Sequence, residues 1–198
     1  MAAFEFFYDL GSPYSYLAAT QLEGLCERTG ATAVLYPVTL GGMRKELGTQ
    51  MPSAAQLKYM AQDTRRWAQQ YGAVFSIPSA FPTRTIQGLR CCCAAGQASP
   101  EAGARAMKAL FHAYWTKGED LADPKVIAAA LDGAGLDGKA LLARSEEPEV
   151  KELLKHNTDL ALMRGVFGVP TFFVGEASFW GNDRIEFIER ALRKEGKG

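Results

Sequence analysis

A short aromatic β run, Phe4 to Tyr8, turns into a helix start within a few residues, and that junction constrains the chain more than any other stretch. It reads Tyr8-Asp9-Leu10-Gly11-Ser12-Pro13-Tyr14-Ser15-Tyr16. Ser12 is placed as the helix N-cap. Pro13 takes the first helical position, where a missing N–H and a fixed φ cost nothing. A helix start at the end of a strand offers free backbone N–H groups and a partial positive charge, which together favour an anion.

The rest of the chain builds around this unit. From Pro13 to about Arg28 the residues Ala18, Leu22, Leu25 and Cys26 share one helical face, and Gly30 ends the helix. Thr32 to Tyr36 is β-branched and aromatic, a second strand stopped by Pro37. A strand–helix–strand crossover of this kind makes the two strands parallel. Gly41 to Pro52 reads as a loop or broken helix. Ser53-Ala54-Ala55-Gln56 is a capping box opening a helix to about Tyr71, and Ile77 to Pro82 is another loop. Helices are then expected over Thr83 to Gln97, from Ser99-Pro100 to about Lys117, from Asp123-Pro124 to about Leu131, over Lys139 to Arg144, and from Glu149 to about Gly165. Thr171 to Val174 and Ser178 to Trp180 form a hairpin, and Asp183 caps a last helix bearing Ile185, Ile188 and Leu192. The order is β-α-β, a long helical middle, then β-β-α. Residues 1–40 and 166–198 are expected to form one discontinuous domain, with 41–165 as a helical insertion packed on it.

Composition narrows the function classes. The 198 residues carry 22 basic and 22 acidic side chains, so no global charge points to nucleic acid or an anionic membrane. No apolar run approaches the ~18 residues of a membrane span, and Met1-Ala2-Ala3-Phe4 lacks the basic start of a secretory signal. The four cysteines are Cys26 and the consecutive Cys91, Cys92 and Cys93. Neighbours on a helix point about 100° apart, so these three do not face one another. His112 and His156 lie in different segments, so no metal site is expected. Buried small hydrophobes in a reducing cytosol explain the thiols.

Two motifs carry chemistry. Ser12 and Ser15 stand where a redox protein of similar design has Cys-x-x-Cys. Such a site suits a bound thiolate but forms no disulfide of its own. The second motif is Gly165-Val166-Phe167-Gly168-Val169-Pro170-Thr171. A proline just before a buried strand deletes a ladder donor. A cis bond at Val169-Pro170 would turn the chain and leave the Val169 N–H and C=O free to pair with an extended peptide ligand.

Taken with Phe7-Tyr8-Asp9, Arg66-Trp67-Ala68 and Phe179-Trp180-Gly181-Asn182-Asp183-Arg184, these motifs resemble those of the 2-hydroxychromene-2-carboxylate isomerases, kin of the kappa-class glutathione transferases. The resemblance covers nearly the whole chain. It implies a thioredoxin-like α/β fold with a helical insertion, glutathione as cofactor, a homodimer and a cytoplasmic location. By matching position it implies that Ser12 faces the glutathione sulfur, that Val169 pairs with its cysteinyl backbone, and that Asn182 and Asp183 hold its γ-glutamyl end. The family often has Gly-Asn in the loop that closes on the site. Here Gly48-Thr49 stands there, so Thr49 is the candidate contact, with a hydroxyl in place of an amide. Gln56 stands where the family often places a lysine, and Lys58 lies roughly 200° round the helix from it. Arg84, just past a proline-rich loop, is the candidate anchor for a substrate carboxylate. The expected activity is glutathione-dependent cis/trans isomerisation of 2-hydroxychromene-2-carboxylate or a similar conjugated carboxylate. Net conjugation of glutathione to a small electrophile and non-catalytic binding by a thioredoxin-like protein are the alternatives.

Overall fold

The computed structural model describes residues 2–195. The first unit is β1 (Ala3–Tyr8), α1 (Pro13–Ala19), α2 (Leu22–Thr29) and β2 (Thr32–Pro37). The helical middle comprises α3 (Leu40–Leu47), α4 (Ala54–Tyr71), α5 (Ile86–Ala98), α6 (Pro100–Trp115), α7 (Pro124–Gly133), α8 (Gly138–Arg144) and α9 (Pro148–Met163). The chain closes with β3 (Thr171–Val174), β4 (Ala177–Trp180), a 3₁₀ turn over Asn182–Arg184, and α10 (Ile185–Glu195). The sheet order is β2-β1-β3-β4, with β1 and β2 parallel and the other pairs antiparallel.

β1 is buried on both faces. Phe4, Phe6 and Tyr8 enter the main core with Phe172 and Val174, and the Phe6 and Phe172 rings meet at 4.8 Å. Phe7 points the other way, into a smaller cluster with Val38, Met43, Ala161, Val166, Val169 and Phe173. Each ring so buried contributes about 2 kcal/mol. The main core continues without a break from β1 and α1 into α5, α6 and α7. The middle of α5, Cys91 to Ala95, is buried at every position, which its Ala and Cys content permits. A Cβ on Gly103 of α6 would lie 3.0 Å from the Gly96 Cα of α5, so these helices touch backbone to backbone. Cys91 faces α8 and its Sγ lies 3.6 Å from the Leu141 carbonyl, Cys92 meets Tyr8, and Cys93 lies beside Asn157 of α9. The turn of about 100° per residue thus sends each thiol to a different neighbour. Burial pushes all three thiols up, Cys91 and Cys93 to about 12, so they stay protonated.

Several expected boundaries differ. The helix from Pro13 to Arg28 is broken at Thr20-Gln21, where Thr20 Oγ1 donates back to the Leu17 carbonyl (2.7 Å) and the Gln21 N–H reaches only to Ala18 (2.9 Å). Of the two readings of Gly41 to Pro52, loop or broken helix, the structure has the helical one as far as Leu47. α3 forms despite Gly41 and Gly42, because the Leu40 N–H is held by the Asp9 carboxylate and Met43 is buried. α5 starts at Ile86, since Thr83 and Thr85 spend their hydroxyls on Asp120 (2.6 Å) and Asp9 (3.1 Å). Asp183 sits inside the 3₁₀ turn with its carboxylate 3.2 Å from Arg184, and the turn carries no side-chain cap.

Candidate active site

The loop between β1 and α1 is held by one buried carboxylate. Asp9 Oδ1 accepts from the Gly11 N–H (2.8 Å) and the Thr85 hydroxyl (3.1 Å), and Oδ2 accepts from the Leu40 N–H (2.7 Å). A single side chain therefore ties the site loop to the starts of α3 and α5. Burial raises its pKa, against the lowering pull of these donors and of Arg44. Sequence reasoning gave Asp9 no role. Its signal was an acid closing an otherwise aromatic, buried strand. The Trp115 indole adds a second tie, donating to the Leu10 carbonyl at 2.8 Å.

This scaffold places Ser12 at the N-cap of α1, 4% exposed. Ser12 Oγ accepts the Ser15 N–H at 3.1 Å and donates to the Val169 carbonyl at 3.4 Å. The latter contact is long for a hydroxyl donor, so the proton is easily re-aimed. The Val169-Pro170 bond is cis, and among the described residues the Val169 N–H has no backbone partner. α1 is only seven residues long, so the local field is that of its first-turn N–H groups rather than of a long dipole.

Ser12 and Val169 open into a cavity of about 710 Å³. One wall is Leu40 and Arg44 of α3, another is Gln56, Tyr59 and Met60 of α4, and Phe81-Pro82 and Trp180 close the rest. Among the described residues, Arg44 is the one charged side chain on its walls. The Tyr14 hydroxyl donates to Asp63 Oδ2 at 3.0 Å, and burial followed by the Asp63 carboxylate pushes that phenol well up, so it remains a donor. Gly168 lets Trp180 approach, since a Cβ there would meet the indole Nε1 at 2.9 Å. The 3₁₀ turn after Trp180 buries Asn182, whose side-chain amide nitrogen has no partner among the described residues, while its backbone carbonyl accepts from the Tyr71 hydroxyl at 2.7 Å.

Ser12, Val169 and the segment ending in Asn182 are thus brought together from opposite ends of the chain. Asp183 is exposed and near enough to Tyr14 and Tyr71 to act on both electrostatically. Thr49 is exposed and lies off the cavity walls, its N–H closing α3 on the Arg44 carbonyl at 3.0 Å. Gln56 lines the cavity, but its side chain is engaged in the capping box with Ser53. Arg84 is exposed and lines a neighbouring groove of about 490 Å³ on the far side of Gly11, Leu40 and Arg44. The cation on the Ser12 cavity is Arg44. Sequence reading missed it because the Gly-rich stretch around it gave no helical period. Among the described residues, no group of His, Cys, Asp and Glu is placed to hold a metal ion, and no helix is long and apolar enough to cross a membrane.

The sheet order, the cis-proline loop and the helix start beside it define a thioredoxin-domain protein with serines in place of the redox cysteines. Residues 3–193 match the model of the DsbA-like thioredoxin domain family. Within that class, the chain is 32% identical to the 2-hydroxychromene-2-carboxylate isomerase of Sphingobium xenophagum, over 95% of this chain and 96% of that protein. It is 28% identical to glutathione S-transferase kappa 1 of Homo sapiens, over 98% and 92% of the two chains. A solved structure of 2-hydroxychromene-2-carboxylate isomerase superposes with a TM-score of 0.88 at 28% identity, covering 98% of this chain and 96% of that one. The chain belongs to the 2-hydroxychromene-2-carboxylate isomerase family, a thioredoxin-like group related to the kappa glutathione transferases.

Proposed function

We propose that the protein is a glutathione-dependent cis/trans isomerase of 2-hydroxychromene-2-carboxylate or a similar conjugated carboxylate. The observation that carries this reading is Ser12, a buried hydroxyl whose oxygen is occupied by the Ser15 N–H and whose proton rests on the Val169 carbonyl at 3.4 Å. Two orphaned donors support a peptide-like cofactor: the Val169 N–H and the buried Asn182 amide nitrogen. Val169 would pair with the cysteinyl backbone, and Asn182 and Asp183 would hold the γ-glutamyl end. Bound there, glutathione would supply a thiolate for reversible addition to an electron-poor double bond.

The chain's own residues do the rest. Ser12 turns its hydroxyl proton from Val169 toward the sulfur and, with the first-turn N–H groups, stabilises the anion and lowers the thiol pKa. Arg44 takes the substrate carboxylate in a bidentate pair. Tyr14, kept protonated, would turn its one proton from Asp63 toward the developing enolate oxygen. Neither Ser12 nor Ser15 carries disulfide chemistry. The protonated thiols suit a reducing cytosol, and the proposal includes a cytoplasmic homodimer. The test is to follow glutathione and substrate together by NMR. Isomerisation that requires glutathione without consuming it supports the reading. Stoichiometric consumption makes the protein a conjugating transferase, and glutathione binding with no reaction makes it a binding protein.

A further inference from the structure

Arg44, the cation of the Ser12 cavity, touches a sulfur atom. Among the described residues its guanidinium is paired with no carboxylate, and its one side-chain hydrogen bond runs from Nη1 to Met51 Sδ at 3.0 Å. α3 is closed by Gly48, whose φ of 64° turns the chain back, and the Thr49 N–H closes on the Arg44 carbonyl at 3.0 Å. Met51 follows directly, and Ser53 caps α4 just after it, so the sulfur is held between two helix ends. Met51 also lines the Ser12 cavity and is 63% exposed. The other described methionines lack this combination. Met43 and Met107 are buried, and Met60 is half-buried on α4. Met163 is 84% exposed at the end of α9 but lies off the cavity.

We infer that Met51 is a modification site, oxidised by a peroxide to the sulfoxide, and that the new oxygen takes Arg44 away from the substrate carboxylate. The inference rests on the proposed function for the role of Arg44 and adds its regulation. In the step, the peroxide O–O bond breaks and one oxygen bonds to Sδ. The other leaves as hydroxide and takes the proton of the first, giving water. The sulfur gives up two electrons and the peroxide accepts them. A thioether is a weak acceptor. A sulfoxide oxygen is strongly polar, and a guanidinium donating to it makes a charge-assisted hydrogen bond. That oxygen is bonded to the atom Arg44 already meets, so the pair forms without the cost of association that a free carboxylate must meet. A carboxylate held across Nη1 and Nη2 needs both arms of the fork, and the sulfoxide occupies one of them. Reduction of the sulfoxide by a sulfoxide reductase restores the thioether and frees the arm.

Hydrogen peroxide is the oxidant in the test, and mass spectrometry of a digest reads each methionine. Met51 and Met163 are expected to oxidise, and Met43 and Met107 to stay reduced. The ligand probes are cinnamate, an unreactive conjugated carboxylate, and its methyl ester, each measured by calorimetry without glutathione. Oxidation is expected to weaken cinnamate binding at least about fivefold and to leave the ester unchanged. Met51→Leu should abolish this response, and Met163→Leu should keep it. Arg44→Ala should bind cinnamate weakly from the start and lose nothing more on oxidation, because the two residues act through one contact. Methionine sulfoxide reductases for both epimers should restore the affinity, and a melting curve on each sample checks that the fold is intact. Four results overturn the inference: Met51 stays reduced at a dose that oxidises Met163; the untreated protein shows no preference for cinnamate over its ester; cinnamate affinity is unchanged once Met51 is oxidised; or the loss persists in Met51→Leu or Arg44→Ala. Turnover of 2-hydroxychromene-2-carboxylate with glutathione is followed on the same samples. A cinnamate affinity that falls with Met51 oxidation, but with no such turnover, upholds the modification site and retires the isomerase reading. Glutathione-dependent turnover with a cinnamate affinity indifferent to Met51 oxidation does the opposite.

Discussion

Asp9→Asn tests the hub that holds the site loop. The carboxylate serves three donors, two on Oδ1 and one on Oδ2. A carboxamide keeps one acceptor oxygen. Placed at Oδ1 it still serves Gly11 and Thr85, and the NH₂ group then confronts the Leu40 N–H, donor against donor at a site where the partners are 2.7 Å apart. The flipped arrangement loses two partners and is worse. One buried donor left unpaired costs about 1–3 kcal/mol, and removing a desolvated charge returns part of this. A net loss of ~2 kcal/mol is expected, a fall in Tm of about 4–8 °C for a chain of this size. Asp9→Ala leaves all three donors unpaired and should cost about 3–6 kcal/mol. The pH dependence checks the cause. The folded Asp9 pKa is raised by burial above the unfolded value of ~3.9. Its contribution is therefore fully present below that unfolded value and is lost as pH rises through the folded one. Thermal melts of wild type and Asp9→Asn across the acid range should show the gap between them narrowing as pH rises, then levelling. A gap that widens with pH would mean that the three hydrogen bonds outweigh burial, and would refute this account of the hub.

Three further outcomes follow from the geometry. Ser12→Ala should raise the pKa of bound glutathione in a thiolate absorbance titration and cut turnover more than glutathione affinity, with about 1 kcal/mol of stability lost from the cap it also provides; an unchanged titration would remove Ser12 from the chemistry. Arg44→Ala should raise KM for an anionic substrate at least about tenfold with glutathione affinity nearly unchanged, whereas Arg84→Ala, in the neighbouring groove, should move KM little; the reverse order would return the anchor to Arg84. Gly168→Ala should push the Trp180 indole off its seat, since the new methyl would lie 2.9 Å from Nε1, and should shift tryptophan emission and weaken glutathione binding together; emission and binding that both stay as in wild type would show that the indole yields without consequence.

The sequence determined whatever depends on neighbours along the chain. Ser12-Pro13, Ser53 to Gln56 and Ser99-Pro100 open helices where local capping says they must, because each cap is satisfied within one turn. A short aromatic-rich run made β1 legible, and a parallel β2 followed from the crossover. The cis bond at Val169-Pro170 was legible too, from a proline where a buried strand needs a donor. The tertiary structure decided what depends on residues far apart. α3 exists because Asp9, 31 positions earlier, holds its first N–H, a contact no local propensity encodes. The cavity cation is Arg44 rather than Arg84 because α3 faces Ser12, whereas Arg84, in the loop before α5, lines the groove on the other side of Gly11. Capping and short runs of one residue character act over a few residues and are written in order. A cavity wall is a meeting of segments brought together by a shared core, and which side chain reaches it is settled only when that core packs.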